Sequence, residues 1–225
     1  GLSLVIHPES PMIPTVHANF RYFELYDEQG EVQDAWFGGG TDLTPYYLWP
    51  EDAIYFHQLH KRLSDPFGEH LYPAFKEACD KYFHNHHRNE ARGVGGLFYD
   101  YLREGKLGLS IAQWQDYVQT MGSHFLEAYV PIVNRRKDEA FGEAEKHWQL
   151  LRRGRYVEFN LLHDKGTLFG LRSNGRIESI LMSLPALVRW DYAPTVEAGS
   201  REAALLEYLV PKDWAGMDLP QTANT

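Results

Sequence analysis

VHANFRYFELYDEQGEVQDAWFGGGTDLTPYY, running from Val16 to Tyr47, is the stretch around which the chain is organised. Side chains of an extended strand alternate between two faces, so His17, Asn19, Arg21, Phe23 and Leu25 share one face. Val16, Ala18, Phe20, Tyr22 and Glu24 share the other. A base, an amide and a permanent cation therefore line one side of a single strand. Asp27 to Gly30 reads as a hairpin loop closed by a glycine in a left-handed position, and Val32 to Phe37 returns beside the first strand. The return carries Gly38, Gly39, Gly40, Thr41 and Asp42 toward the polar face. Three glycines leave the backbone open to close approach, and Asp42 follows as a fixed carboxylate. Polar residues on one side of a strand commonly face water. Their concentration here, followed by a Thr-Pro-Tyr-Tyr corner rather than a solubilising loop, favours one wall of an active site.

Outward from this hairpin, Ser3 to His7 reads as a strand, and Pro8, Pro11 and Pro14 impose an extended connection to His17. Pro50-Glu51-Asp52 suits the first turn of a helix with Ile54, Leu59 and Leu63 on its apolar side. A second helix is expected over Pro73 to Phe83, leading into a run of histidines from His84 to His87. Histidine near a helix C-terminus is favourable without any metal. Gly93 to Asp100 is a glycine-rich entry to a short strand. Ile111 to Arg136 has the three-and-four spacing of a helix packed on a sheet, and Phe141 to Leu151 reads as another. Arg155 to His163 alternates as a strand, Asp164 to Gly166 turns it, Thr167 to Arg172 returns, and Ser173 to Gly175 turns again before Arg176 opens a last strand or helix. A further helix is expected near Arg201 to Leu209, with a mobile tail after Trp214. These elements predict an α+β fold, a large antiparallel sheet flanked on both faces by helices.

The whole chain sets bounds on function. It has 225 residues, 44% hydrophobic and 14% aromatic, with no linker, repeat or low-complexity run, which predicts one globular domain over residues 1–225. Net charge is −9, with 31 acidic and 22 basic residues, which argues against nucleic acid as a partner. No apolar run is long enough for a membrane span. The single cysteine, Cys79, excludes an internal disulfide and fits a reducing, cytoplasmic setting; no signal or transit segment opens the sequence. Grouped arginines (Arg88 and Arg92; Arg152, Arg153 and Arg155; Arg172 and Arg176) suit a small anionic ligand.

Four segments, HPESPMIPTVHANFRYFEL, WFGGGTDLTPYY, HHRNEARGVGGLFYD and RRGRYVEFNLLHDKGTLFGLRSNGRIESILMSLP, closely resemble oxygen-dependent coproporphyrinogen III oxidases, and the likeness runs from Gly1 to about Trp214. The family's chains begin well before the segment matching Gly1, with a glycine-rich portion that this sequence does not include. The resemblance implies oxidative decarboxylation of two propionates of coproporphyrinogen III to vinyl groups with dioxygen, giving protoporphyrinogen IX, in haem and porphyrin biosynthesis. No organic cofactor is implied. It also implies a homodimer formed through Tyr156 to Arg189, with His17, Asp42 and Arg21 as catalytic residues. Ser3, Asn19, Phe20, Arg21, Arg92, Asn174, Gly175 and Arg176 are implied as substrate-binding. Lys165 stands where many relatives carry arginine, keeping the charge without the planar fork. His7, His17, His57 and His87 match residues described as metal ligands. Whether they gather around a divalent metal stays open, because their spacings match no compact metal signature. Chemically, guanidinium groups suit carboxylates. An ionised Asp42 is acceptor-only and suited to pyrrole N–H groups, and the imidazole of His17 is suited to proton transfer. Two other classes remain open at this point, a non-catalytic tetrapyrrole-binding protein and a histidine-metal hydrolase.

Overall fold

The computed structural model describes residues 1–219. Its centre is an antiparallel sheet of four strands in the order β1-β2-β3-β6, where β1 is Leu2–Ile6, β2 Thr15–Tyr26, β3 Val32–Thr44 and β6 Gly95–Leu102. The expected hairpin is present and long, with Arg21 opposite Gly38 and His17 opposite Asp42. Its loop closes as the residues dictate. Asp27 Oδ1 accepts from the backbone N–H groups of Gln29 and Glu31, and Gly30 takes φ 85°. The glycine triplet lies inside β3 and not in a turn, and at Gly39 and Gly40 neighbouring backbone leaves no room for a side chain. A Cβ on Gly39 would stand 2.2 Å from the Asn19 carbonyl oxygen, and one on Gly40 would stand 2.2 Å from that of Leu97.

One face of the sheet is covered by helices α1 (Pro50–Ser64), α2 (Leu71–Tyr82), α3 (Ile111–Ser123) and α4 (Phe125–Arg136). Val16 and Leu43 pack there with Ile54, Phe56, Leu59, Tyr129 and Ile132, and Leu97, Tyr99 and Leu102 pack with Phe75, Trp114 and Tyr117. This burial of contiguous apolar surface is the main force holding the fold. Phe20 joins the same face, as strand alternation requires. The helix expected over residues 111–136 is broken at His124, whose backbone leaves the helical region. Two residues earlier Gly122 lowers the helical preference.

The other face of the sheet is closed only at one end, by α5. Here the sequence reading fails. Arg155 to His163 is not a strand: α5 runs from Glu143 to Leu162 without interruption. Its buried residues Trp148, Leu151, Arg152, Tyr156, Phe159 and Asn160 recur at the helical spacing of three and four, and the shorter stretch RYVEFNLLH mimics alternation. The next turn signal is a helix cap, since Asp164 Oδ2 accepts from the Thr167 N–H at 2.7 Å and opens α6 (Lys165–Arg172). α7 (Ile177–Leu181) and α8 (Arg201–Leu206) follow, so no further hairpins add to the sheet. Two short strands, β4 (His84–Asn85) and β5 (Glu90–Ala91), pair outside it. Of the tail expected to be mobile, Ala215 and Met217 are tied down by the Gln58 side chain, which donates to both carbonyls. Residues 220–225 lie outside the described residues.

Candidate active site

Directly opposed residues in antiparallel strands share a face, so β1, β2, β3 and β6 together place Ser3, His17, Asn19, Arg21, Gly38, Gly40, Asp42, Phe98 and Asp100 on the face that the first four helices leave uncovered. Near the α5 end, His17 Nδ1 donates to Asp42 Oδ1 at 2.8 Å. Arg92 Nη2 donates to Asp42 Oδ2 at 2.7 Å, with both side chains only 2% exposed. The guanidinium lies among three rings, 3.9 Å from the Phe83 centroid, 4.5 Å from Tyr156 and 4.9 Å from Phe159. Its Nη1 donates to Asn160 Oδ1 at 3.0 Å. Burial would raise the Asp42 carboxyl, but the Arg92 charge and the His17 hydrogen bond outweigh it and hold the group below the ordinary carboxylate range. Asp42 is therefore an anion near neutral pH. Because a carboxylate oxygen can accept more than one hydrogen bond, Asp42 keeps acceptor capacity beyond these two partners.

Farther along β2, Arg21 Nη1 donates to Asn19 Oδ1 at 2.8 Å, and Nη2 lies 3.1 Å from Asp100 Oδ1. Arg21 is not the cation that keeps Asp42 ionised. The structure assigns that part to Arg92, because four residues of strand separate Arg21 from the level of His17 and Asp42, about 13 Å. The Arg92 guanidinium is correspondingly enclosed and already paired, rather than displayed for a substrate carboxylate. Phe20, expected at the substrate, turns its ring to the helix-covered face. Asn174, at φ 55°, and Gly175 form the turn between α6 and α7, with Arg176 at the cap of α7. Among the described residues, no hydrogen bond or ion pair joins these three to the sheet's polar face.

The four histidines do not form a metal centre, and among the described residues no group of three or more ligand-type side chains does. His57 is fully buried, accepting from Tyr72 Oη at 2.9 Å and donating to the Val94 carbonyl at 3.0 Å. His7 bonds the Ser183 carbonyl at 2.9 Å and Thr15 Oγ1 at 3.3 Å. His87 sits on the outer side of α5, bonded to His163 at 3.0 Å and Glu158 at 2.8 Å. Each ring is engaged by its own protein partners. These residues do not fit a shared metal, and no catalytic step is routed through one.

Asp100, Tyr156, Phe159 and Asn160 were not anticipated at the site. A helical reading of residues 148–160 would have put the last three on one buried face.

Against the family model for coproporphyrinogen III oxidase, the match spans residues 1–214, nearly the whole chain. The chain belongs to the coproporphyrinogen III oxidase family. It is thus an oxidoreductase acting on coproporphyrinogen III, with an oxidative decarboxylation role in haem biosynthesis. Nothing supports the binding-module or hydrolase alternatives. Among the described residues no helix is long and apolar enough to cross a membrane.

Proposed function

We propose that coproporphyrinogen III is seated on the polar face of the sheet, with pyrrole N–H groups on Asp42 and a propionate on Arg21. The observation that supports this is the buried, ionised Asp42 with a cation behind it, His17 beside it and Arg21 farther out on the same face. Ser3, opposite Asn19 across the β1–β2 pair, lines the same wall. Arg176, with Asn174 and Gly175, holds a second carboxylate in this reading. A propionate that becomes a vinyl group releases carbon dioxide, one proton and two electrons. Dioxygen accepts the two electrons, that proton and a second one from solvent, and leaves as hydrogen peroxide. His17 donates through Nδ1 to Asp42, which fixes its tautomer, and its Nε2 is the atom that moves a proton at the substrate. No organic cofactor is needed for this balance.

The working unit is a homodimer in a cytoplasmic setting. Phe169 (73% exposed), Met182 (77%) and Leu187 (69%) present apolar surface around α6 and α7, of the kind that seldom stays bare. The buried, unpaired Cys79 accords with a reducing environment.

An oxygen electrode with coproporphyrinogen III tests the oxidant. One dioxygen consumed per carbon dioxide released is expected, with no loss of rate after exhaustive chelation. Undiminished turnover under strict anaerobiosis would overturn the assignment of dioxygen.

A further inference from the structure

We propose that Asn160 on α5 is a positioning residue, one that keeps Arg92 from clamping both oxygens of Asp42 and so leaves Oδ1 for His17; this rests on the reading of Asp42 as the ring anchor. An arginine beside a carboxylate ordinarily engages it as a fork, two N–H groups on two oxygens. Here only Nη2 reaches Asp42, at Oδ2, because Nη1 is taken by Asn160 Oδ1 at 3.0 Å. The vacated Oδ1 is the oxygen that His17 Nδ1 uses.

Asn160 is itself buried, 5% exposed, on the α5 face that carries Tyr156 and Phe159. An apolar side chain would pack in such surroundings at least as well, so the amide is explained by the hydrogen bond it makes. Of the three rings around the guanidinium, Phe83 and Phe159 carry no acceptor for Nη1. Were the Asn160 acceptor removed, the nearest remedy for the stranded N–H groups is rotation onto Asp42 Oδ1. That would displace His17 and turn the carboxylate away from the substrate face. Substrate binding through Arg21 would persist, because Arg21 is held separately by Asn19 and Asp100. The loss should therefore fall on kcat more than on KM.

The test is Asn160→Leu, close in size and without an acceptor, measured alone and combined with Asp42→Asn. The expected result is a kcat lower by about tenfold or more with KM within about threefold, since small misplacements at a reacting centre are expensive. In the Asp42→Asn background the same change should cost nothing further, because its effect runs through Asp42. An unchanged kcat, or losses that multiply in the double variant, would overturn the proposal. Normal turnover in Asp42→Asn alone would sink the reading of Asp42 itself, and this inference with it. Should Asn160→Leu fail to fold, Asn160→Ala removes the same acceptor without added branching and is held to the same outcomes.

Discussion

The Arg21 guanidinium lies across the slot that a side chain at Gly38 would fill. A Cβ on Gly38 would stand 2.7 Å from Arg21 Nε, 2.8 Å from Nη2 and 2.7 Å from Asp100 Oδ1. The glycine thus makes room for the ion pair that aims Arg21 along the polar face. Gly38→Ala is expected to push Arg21 off Asp100 and raise KM about tenfold, the scale of one charge-assisted hydrogen bond. Arg21→Lys should move KM in the same direction, since it keeps the charge and loses the fork. Steady-state kinetics of both variants check this, and an unaltered KM in both would refute Arg21 as the propionate holder.

Asp42→Asn removes the only anion paired with the enclosed Arg92 charge among the described residues. Breaking one side of a buried pair is expected to destabilise the fold by about 3–5 kcal/mol. Turnover per folded molecule should fall about a hundredfold as well, because the amide presents a donor toward the pyrrole N–H groups. Melting temperature and oxygen uptake on one preparation separate the two effects. A lower melting point with normal specific activity would mean that Asp42 is structural only.

Acid should destabilise this protein earlier than its carboxylates require. Burial lowers the pKa of His57 to about 3 and that of His60 to about 4, with backbone carbonyls opposing only in part. Both rings stay neutral in the fold, whereas in the unfolded chain they take up protons near pH 6.5. The unfolded state then binds more protons, so stability present above pH 6.5 is lost as pH falls toward 4, by about 1.4 kcal/mol per pH unit for each ring. Urea midpoints between pH 7 and 5 should show that slope, and His57→Gln should roughly halve it. A flat profile over this range would contradict the burial.

Phe169→Glu combined with Met182→Glu should convert the proposed dimer to monomer, since a carboxylate in an apolar interface is left desolvated and unpaired. Sedimentation at micromolar concentration checks this, with the unaltered protein as reference. A monomeric unaltered protein would refute the homodimer.

Much of the sheet's polar face was legible in the sequence because a strand's side-chain period is fixed. Once Val16 to Tyr26 is extended, His17, Asn19 and Arg21 must share a face. The Asp27 to Gly30 loop then sets the return, bringing Asp42 opposite His17 and Gly38 opposite Arg21. Local chemistry also marked α1 and α2, through Pro50 with its acidic first turn and through apolar spacing. Residues 155–163 were misread because alternation and helical spacing coincide over so short a run, and the two separate only when the spacing is followed back to Trp148, along the face that α5 buries. The partner of Asp42 was likewise beyond local reading. Arg21 and Arg92 are both arginines near the site in sequence logic, but pairing depends on three-dimensional distance and enclosure. The bend at residues 92–94 and the approach of α5 bury Arg92 against Asp42, while four residues of strand keep Arg21 at the far end. The same reason governs the histidines: residue type permitted a metal cluster, and the tertiary structure gave each imidazole a separate partner.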